Sequence, residues 1–147
     1  MTRGNERAAR LRELRERTRL EAGSREESEC AGVYASFAPL NRAVLQLCTD
    51  WQVRPGGALN DHADAAYDWS VIDRLTALDE RAAPLLRRLG ASVTHFAPYR
   101  ERLRQARRRV VEGEHDWFTS PRVDSYHTVW MELHEDLLAA LGLERAR

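Results

Sequence analysis

The stretch VYASFAPLNRAVLQLCTDW, residues 33–51, spaces Val33, Phe37, Leu40, Val44, Leu47 and Trp51 three or four positions apart, so that all six share one face of a helix. A half-buried strand would alternate with period two, and no segment of the chain sustains that alternation. The helix is expected from residue 31 onward, with Pro39 as a kink or as a fresh first turn capped by Ser36, and with Pro55-Gly56-Gly57 closing it.

Three more amphipathic segments follow. Residues 69–89 carry Trp69, Ile72, Leu75, Leu78, Ala82, Leu85 and Leu89 as one stripe, with Pro84 bending the helix and Gly90 stopping it. Residues 94–112, capped by Thr94 and stopped by Gly113, turn Phe96, Tyr99, Leu103, Ala106 and Val110 inward. Residues 125–141, capped by Asp124 or Ser125 and followed by Gly142, do the same with Tyr126, Trp130, Leu133, Leu137 and Leu141. The short turn between the second and third segments favours antiparallel neighbours. The expected fold is therefore all-α, an up-down-up-down four-helix bundle. Residues 1–29 form an additional N-terminal helical arm, dense in Arg and Glu, with Leu11, Leu14 and Leu20 as its apolar edge and Gly23-Ser24 near its end. Residues 30–147 form the bundle domain, a size that suits one core.

Composition narrows the function classes. The 23 basic residues are all arginine, which reads as the coding bias of a GC-rich bacterial genome and carries no weight as a phosphate-binding signal. Net charge is zero, so no global field draws in nucleic acid or an anionic membrane. No apolar run reaches the ~18 residues of a membrane span, and the Arg/Glu-rich N-terminus lacks a signal-peptide core, so the expected location is cytoplasmic with no membrane partner. Cys30 and Cys48 lie about 27 Å apart along one helix, too far for a disulfide.

The expected topology gathers polar and aromatic residues at one end. Trp51, Trp69, Trp117 and Trp130 fall there with His62, His115, His127, Asp61, Asp64, Asp68, Asp116 and Asp124, while the other end has His95 and plain aliphatic turns. Asp61, Asp64, Asp68 and Asp124 also stand where helix N-caps and first turns belong. His127 and His62, with His115, are the candidate catalytic or acid/base groups. Asp61, His62, Asp64 and His127 are the candidate ligands for a divalent metal, the three acids 61, 64 and 68 aligning if the segment is helical. Trp51, Trp69, Trp117, Tyr126, Trp130 and Arg122 are the candidate ligand-binding side chains. His127 and His134, about 10 Å apart on one helix, cannot share an ion.

Established motifs are missing: there is no HExxH, CxxC, phosphate loop or dinucleotide fingerprint, and the Glu112-to-His115 spacing straddles Gly113. Charge is segregated, with six arginines against one acid in residues 99–109 and seven acids against one arginine in residues 112–136. The two segments are expected to pair within the molecule. Three functions follow. The first is a binding or accessory protein that engages a protein partner or a second copy of itself. The second is a small metal- or ligand-dependent enzyme with its small-molecule pocket at the Trp/His end. The third is nucleic-acid or phosphate-ligand binding along Arg100–Arg109.

Overall fold

Ser24 begins the first long helix: its Oγ accepts a hydrogen bond from Glu27 N at 3.1 Å, while the Glu27 carboxylate accepts one from Gly23 N at 3.1 Å. This Ser-x-x-Glu arrangement satisfies amide groups that the first turn leaves open. The computed structural model describes residues 4–6, 8–10, 13 and 19–143. Leu11 and Leu14, two of the three leucines of the expected apolar edge of the arm, lie outside the described residues, whereas Leu20 packs against the core. Because Ser24 is the cap, residues 25–29, read from the sequence as arm, are the first turns of the long helix.

The chain is all-α. Helix α1 is Arg25–Gln52, α2 is Ala65–Ser92, α3 is Pro98–Val111, α4 is the single turn Asp116–Thr119, and α5 is Tyr126–Leu141. A 3-10 turn at Thr94–Phe96 separates α2 from α3. Helix α1 packs on α2 and α5, and α3 packs on the same two helices, so the four long elements close a ring around one core. No helix among the described residues is long and apolar enough to cross a membrane.

The six-residue face of α1 is buried throughout, from Val33 to Trp51. Pro39 and Pro84 both sit inside continuous helices. Cys30 and Cys48 are free, buried thiols; burial alone pushes their pKa values up to about 11 and about 12, so neither carries thiolate at neutral pH.

Several expected boundaries move. Helix α2 starts at Ala65, not at 69, because Asp64 Oδ1 accepts from Tyr67 N at 3.1 Å and caps it. Gly90 does not stop this helix; it lies inside it, buried, where a Cβ would come within 2.8 Å of Ala97 Cα. Glycine serves close approach of the 3-10 turn there, and α2 ends at Ser92 with Val93 as its C-cap. Thr94 opens that turn and caps nothing. On the α2 stripe Trp69 is half exposed and Leu85 only partly buried, their places in the core being taken by Val71 and Leu86.

The paired charges of α3 meet a carboxylate the sequence did not single out. Asp79, 1% exposed in the middle of α2, lies with Oδ2 at 2.9 Å from Arg107 Nε and 3.5 Å from Arg100 NH1, and its Oδ1 accepts a hydrogen bond from Tyr126 Oη at 3.0 Å. The two arginine contacts are charge pairs without aligned hydrogen bonds. Arg102 reaches Glu132 on α5 at 2.7 Å, and Arg109 reaches Glu114 at 3.2 Å. The opposite end of the ring also holds more than plain aliphatic turns: Asp136 accepts from Tyr99 Oη and lies 3.1 Å from His95 Nε2.

Two stability outcomes follow from these contacts. Gly90→Ala, which in an ordinary helix gains about 1 kcal/mol, is expected here to lose about 1–3 kcal/mol through overpacking against Ala97, read as a lower urea midpoint. Asp79→Asn, which leaves two arginines facing a neutral amide, is expected to cost about 3–5 kcal/mol in the same measurement, against about 1 kcal/mol for Tyr126→Phe.

Candidate functional site

Where α1 ends, the chain makes a tight excursion before α2. Val53 and Leu59 form an isolated bridge, Arg54 N donates to Ala58 O at 2.8 Å, and Gly56 and Gly57 take positive φ at 99° and 95° to turn the chain. Arg54 lies over the Tyr67 ring and pairs with Asp64 at 3.2 Å, which fastens the excursion to the first turn of α2.

Asn60 then clamps three elements. Its Nδ2 group donates to Trp51 O and to Asp68 Oδ1, both at 2.8 Å, and its Oδ1 accepts from His62 N at 3.0 Å. His62 is thereby held at φ 61°, the one positive value outside glycine among the described residues. Such backbone costs about 1–3 kcal/mol and persists only where its surroundings enforce it. The His62 ring turns toward α2, with Nδ1 2.9 Å from Asp68 Oδ2. Because an ionised carboxylate only accepts, Nδ1 is the donor in this contact.

The second imidazole comes from the far side. Helix α3 ends with Gly113 at φ 98°, and Glu114 N donates back to Arg109 O at 2.9 Å. This left-handed turn satisfies the last carbonyls of α3 and delivers His115 to the start of α4. The His115 and His62 rings lie 5.5 Å apart, and donor atoms of His62, Asp68 and His115 all fall within 4.8 Å of one another. Trp51 forms the floor, its ring 4.6 Å from His62 and 5.1 Å from His115, stacked on its other side against Phe118 at 4.6 Å. Asp68 and Trp51 are buried while both histidines are exposed. A cavity of about 410 Å³ opens beside them, lined by Trp51, Gln52, Val53, Leu59, Asn60, His62 and Thr119.

Of the expected site residues, the structure brings His62 and His115 together with Trp51, and Trp117 is close by, partly buried beneath Arg109. The expected triple-carboxylate face does not form. Residues 60–63 are not helical; Asp61 Oδ1 accepts from Ala63 N at 3.0 Å, and Asp64 caps α2, its carboxyl held below the usual range first by the Tyr67 amide and then by Arg54. Only Asp68 of the three turns to the histidines. His127 is not in the group; it is half buried on α5, and burial lowers its basicity.

Tyr126 and Trp130 belong to the core. Trp130 Nε1 donates to Asn41 at 3.0 Å and its ring stacks on Phe37 at 4.8 Å, which places it about 21 Å along α1 from Trp51. The cause is the start of α5: the 113–125 segment carries the chain across the end of the ring, and α5 begins well inside it. Trp69 and Arg122 are on the surface. Asn60 and Phe118 were not among the expected site residues, and Asp68 was expected only as one of three aligned acids, not as the partner of His62. Asp68 had one legible signal, since with Asp64 already capping α2 a second acid in that turn is free for another role.

Asn60→Ala is expected to cost about 1–3 kcal/mol in urea unfolding, because the buried Asp68 oxygen and the Trp51 carbonyl lose their shared donor. The same variant should release the fixed position of the His62 ring, visible as averaged imidazole NMR signals. No protein family, curated protein or solved structure matches this chain.

Proposed function

We propose that the chain is a metal-dependent enzyme that binds a divalent transition metal through His62, Asp68 and His115 and acts on a small molecule in the adjoining cavity. The observation that carries this is the convergence of two imidazoles and one buried carboxylate within 4.8 Å, beside open space. His62 Nδ1 and Asp68 Oδ2, 2.9 Å apart in a hydrogen bond, need to part by only about 0.5 Å to reach the roughly 3.3–3.6 Å between neighbouring ligands of a tetrahedral ion with bonds of ~2.0–2.2 Å. Two nitrogen donors favour Zn²⁺, Fe²⁺ or a neighbouring ion over Mg²⁺ or Ca²⁺, which prefer oxygen. Three protein ligands leave coordination positions for water and substrate, the arrangement that separates catalytic from structural sites. There the metal supplies a Lewis acid and lowers the pKa of bound water. Asn60 and Trp51 hold the ligands in place, as outer groups do around metal-bound histidine.

This reading takes the four long helices as an up-down-up-down bundle, with the site at the end where α1 finishes and α2 begins. Self-association through the N-terminal arm has weaker support, since Leu20 N and Arg19 both hydrogen-bond to Ala140 O and fasten that segment to the end of α5. Phosphate binding along Arg100–Arg109 is also disfavoured, because Arg100, Arg102, Arg107 and Arg109 already pair with carboxylates.

Metal-stripped protein titrated with Zn²⁺ in a calorimeter is expected to bind one ion per chain. His115→Ala should weaken binding at least about 100-fold. His62→Gly should do the same while lowering the urea midpoint by no more than about 1–3 kcal/mol equivalent, since glycine relieves the positive φ but Asp68 Oδ2 loses its donor. No stoichiometric binding, or binding indifferent to both substitutions, overturns the proposal.

A further inference from the structure

The cavity beside the histidines differs from an anion cradle in its lining. Trp51, Val53 and Leu59 are apolar, Gln52, Asn60 and Thr119 are neutral, and no arginine lines it in a chain where arginine supplies every basic side chain. Arg54, the nearest in sequence, is already engaged by Asp64 and the Tyr67 ring. Leu59, the bridge partner of Val53, is 81% exposed, a large apolar side chain available to whatever enters. The volume, about 410 Å³, lies at the small end of the ~300–1,000 Å³ typical of ligand sites.

Charge completes the description. A divalent ion with Asp68 as its one acidic ligand carries a net charge of about +1 into a site whose remaining lining is neutral. An uncompensated charge next to buried Trp51 is costly, and one negative oxygen donor in an open coordination position removes it. A dianion such as phosphate leaves a surplus negative charge with no arginine to meet it, in contrast to phosphate sites built from guanidinium forks.

From this we infer that the ligand of the site is a small monoanionic oxygen acid with an apolar body, of the monocarboxylate class: its carboxylate on the metal, its body against Trp51, Val53 and Leu59. The inference rests on the metal site proposed above.

The test uses protein whose Zn²⁺ content has first been confirmed, titrated calorimetrically with acetate, hexanoate and inorganic phosphate. Hexanoate should bind at least about tenfold more tightly than acetate, because each methylene taken out of water adds to affinity, and phosphate should bind no more tightly than acetate. Leu59→Ser, at a position too exposed to govern folding, should remove most of the hexanoate advantage and leave acetate unchanged. Equal affinity for the two carboxylates, tighter binding of phosphate, or hexanoate binding unaffected by Zn²⁺ removal each overturns this inference and leaves the metal site standing. Failure of the protein to take up Zn²⁺ at all overturns both.

Discussion

A single carboxylate organises the middle of this molecule. Asp79 is almost fully buried on α2, and α3 and α5 are both arranged around it, α3 through Arg100 and Arg107 and α5 through Tyr126. Removing a charge from water is expensive, so this position constrains its neighbours more tightly than any leucine beside it. The arginines are amphipathic, and their stems can lie along the apolar face of α3 while their guanidinium groups converge on Asp79. The rotation of α3 about its own axis is fixed by that convergence. Burial in turn raises the Tyr126 phenol well above its ordinary range, with Asp79 reinforcing the shift, so this residue is a neutral donor.

The histidine end depends on the same framework. His115 is delivered by the last turn of α3, and His62 by a segment clamped between the end of α1 and the start of α2. Neither histidine belongs to a long helix. Both are carried on glycine-containing turns tied back by backbone hydrogen bonds, so the exposed rings are placed by the connections and not by a helix. Asp68, the buried member, is on α2 and is the fixed point to which the two exposed members are referred.

Helical periodicity in the sequence revealed most of the core: the α1 face, the α3 face and the first four inward positions of α5 are buried as their spacing indicates. Termini were less legible. Ser24 with Glu27 is a capping signature, yet it lies in a charged stretch whose apolar periodicity is too weak to announce a helix. Gly90 resembles a helix stop because glycine commonly follows one, and only the approach of Ala97, a tertiary contact, explains its place inside α2. Trp130 was assigned to the wrong region for a related reason. Counting residues along α5 gives its distance from the helix start, while the depth at which α5 enters the ring depends on how the 113–125 segment packs. The histidine group illustrates the same limit, since His62 and Asp68 are near in sequence but the pairing of both with His115 is set by the length of α3. Asp79 left no trace at all, being one acid among many until three helices were brought to it.

About fifty residues separate His62 from His115, and that interval contains the whole of α2 and α3, yet the two rings face each other at 5.5 Å. Any bond that spans them closes a circuit through a third of the chain. The entropy of an open loop rises only slowly with its length, so one such closure constrains the unfolded chain nearly as much as a far longer one. The residues that create the opening for chemistry therefore also stand where a single atom could act as a clasp for half of the helical ring.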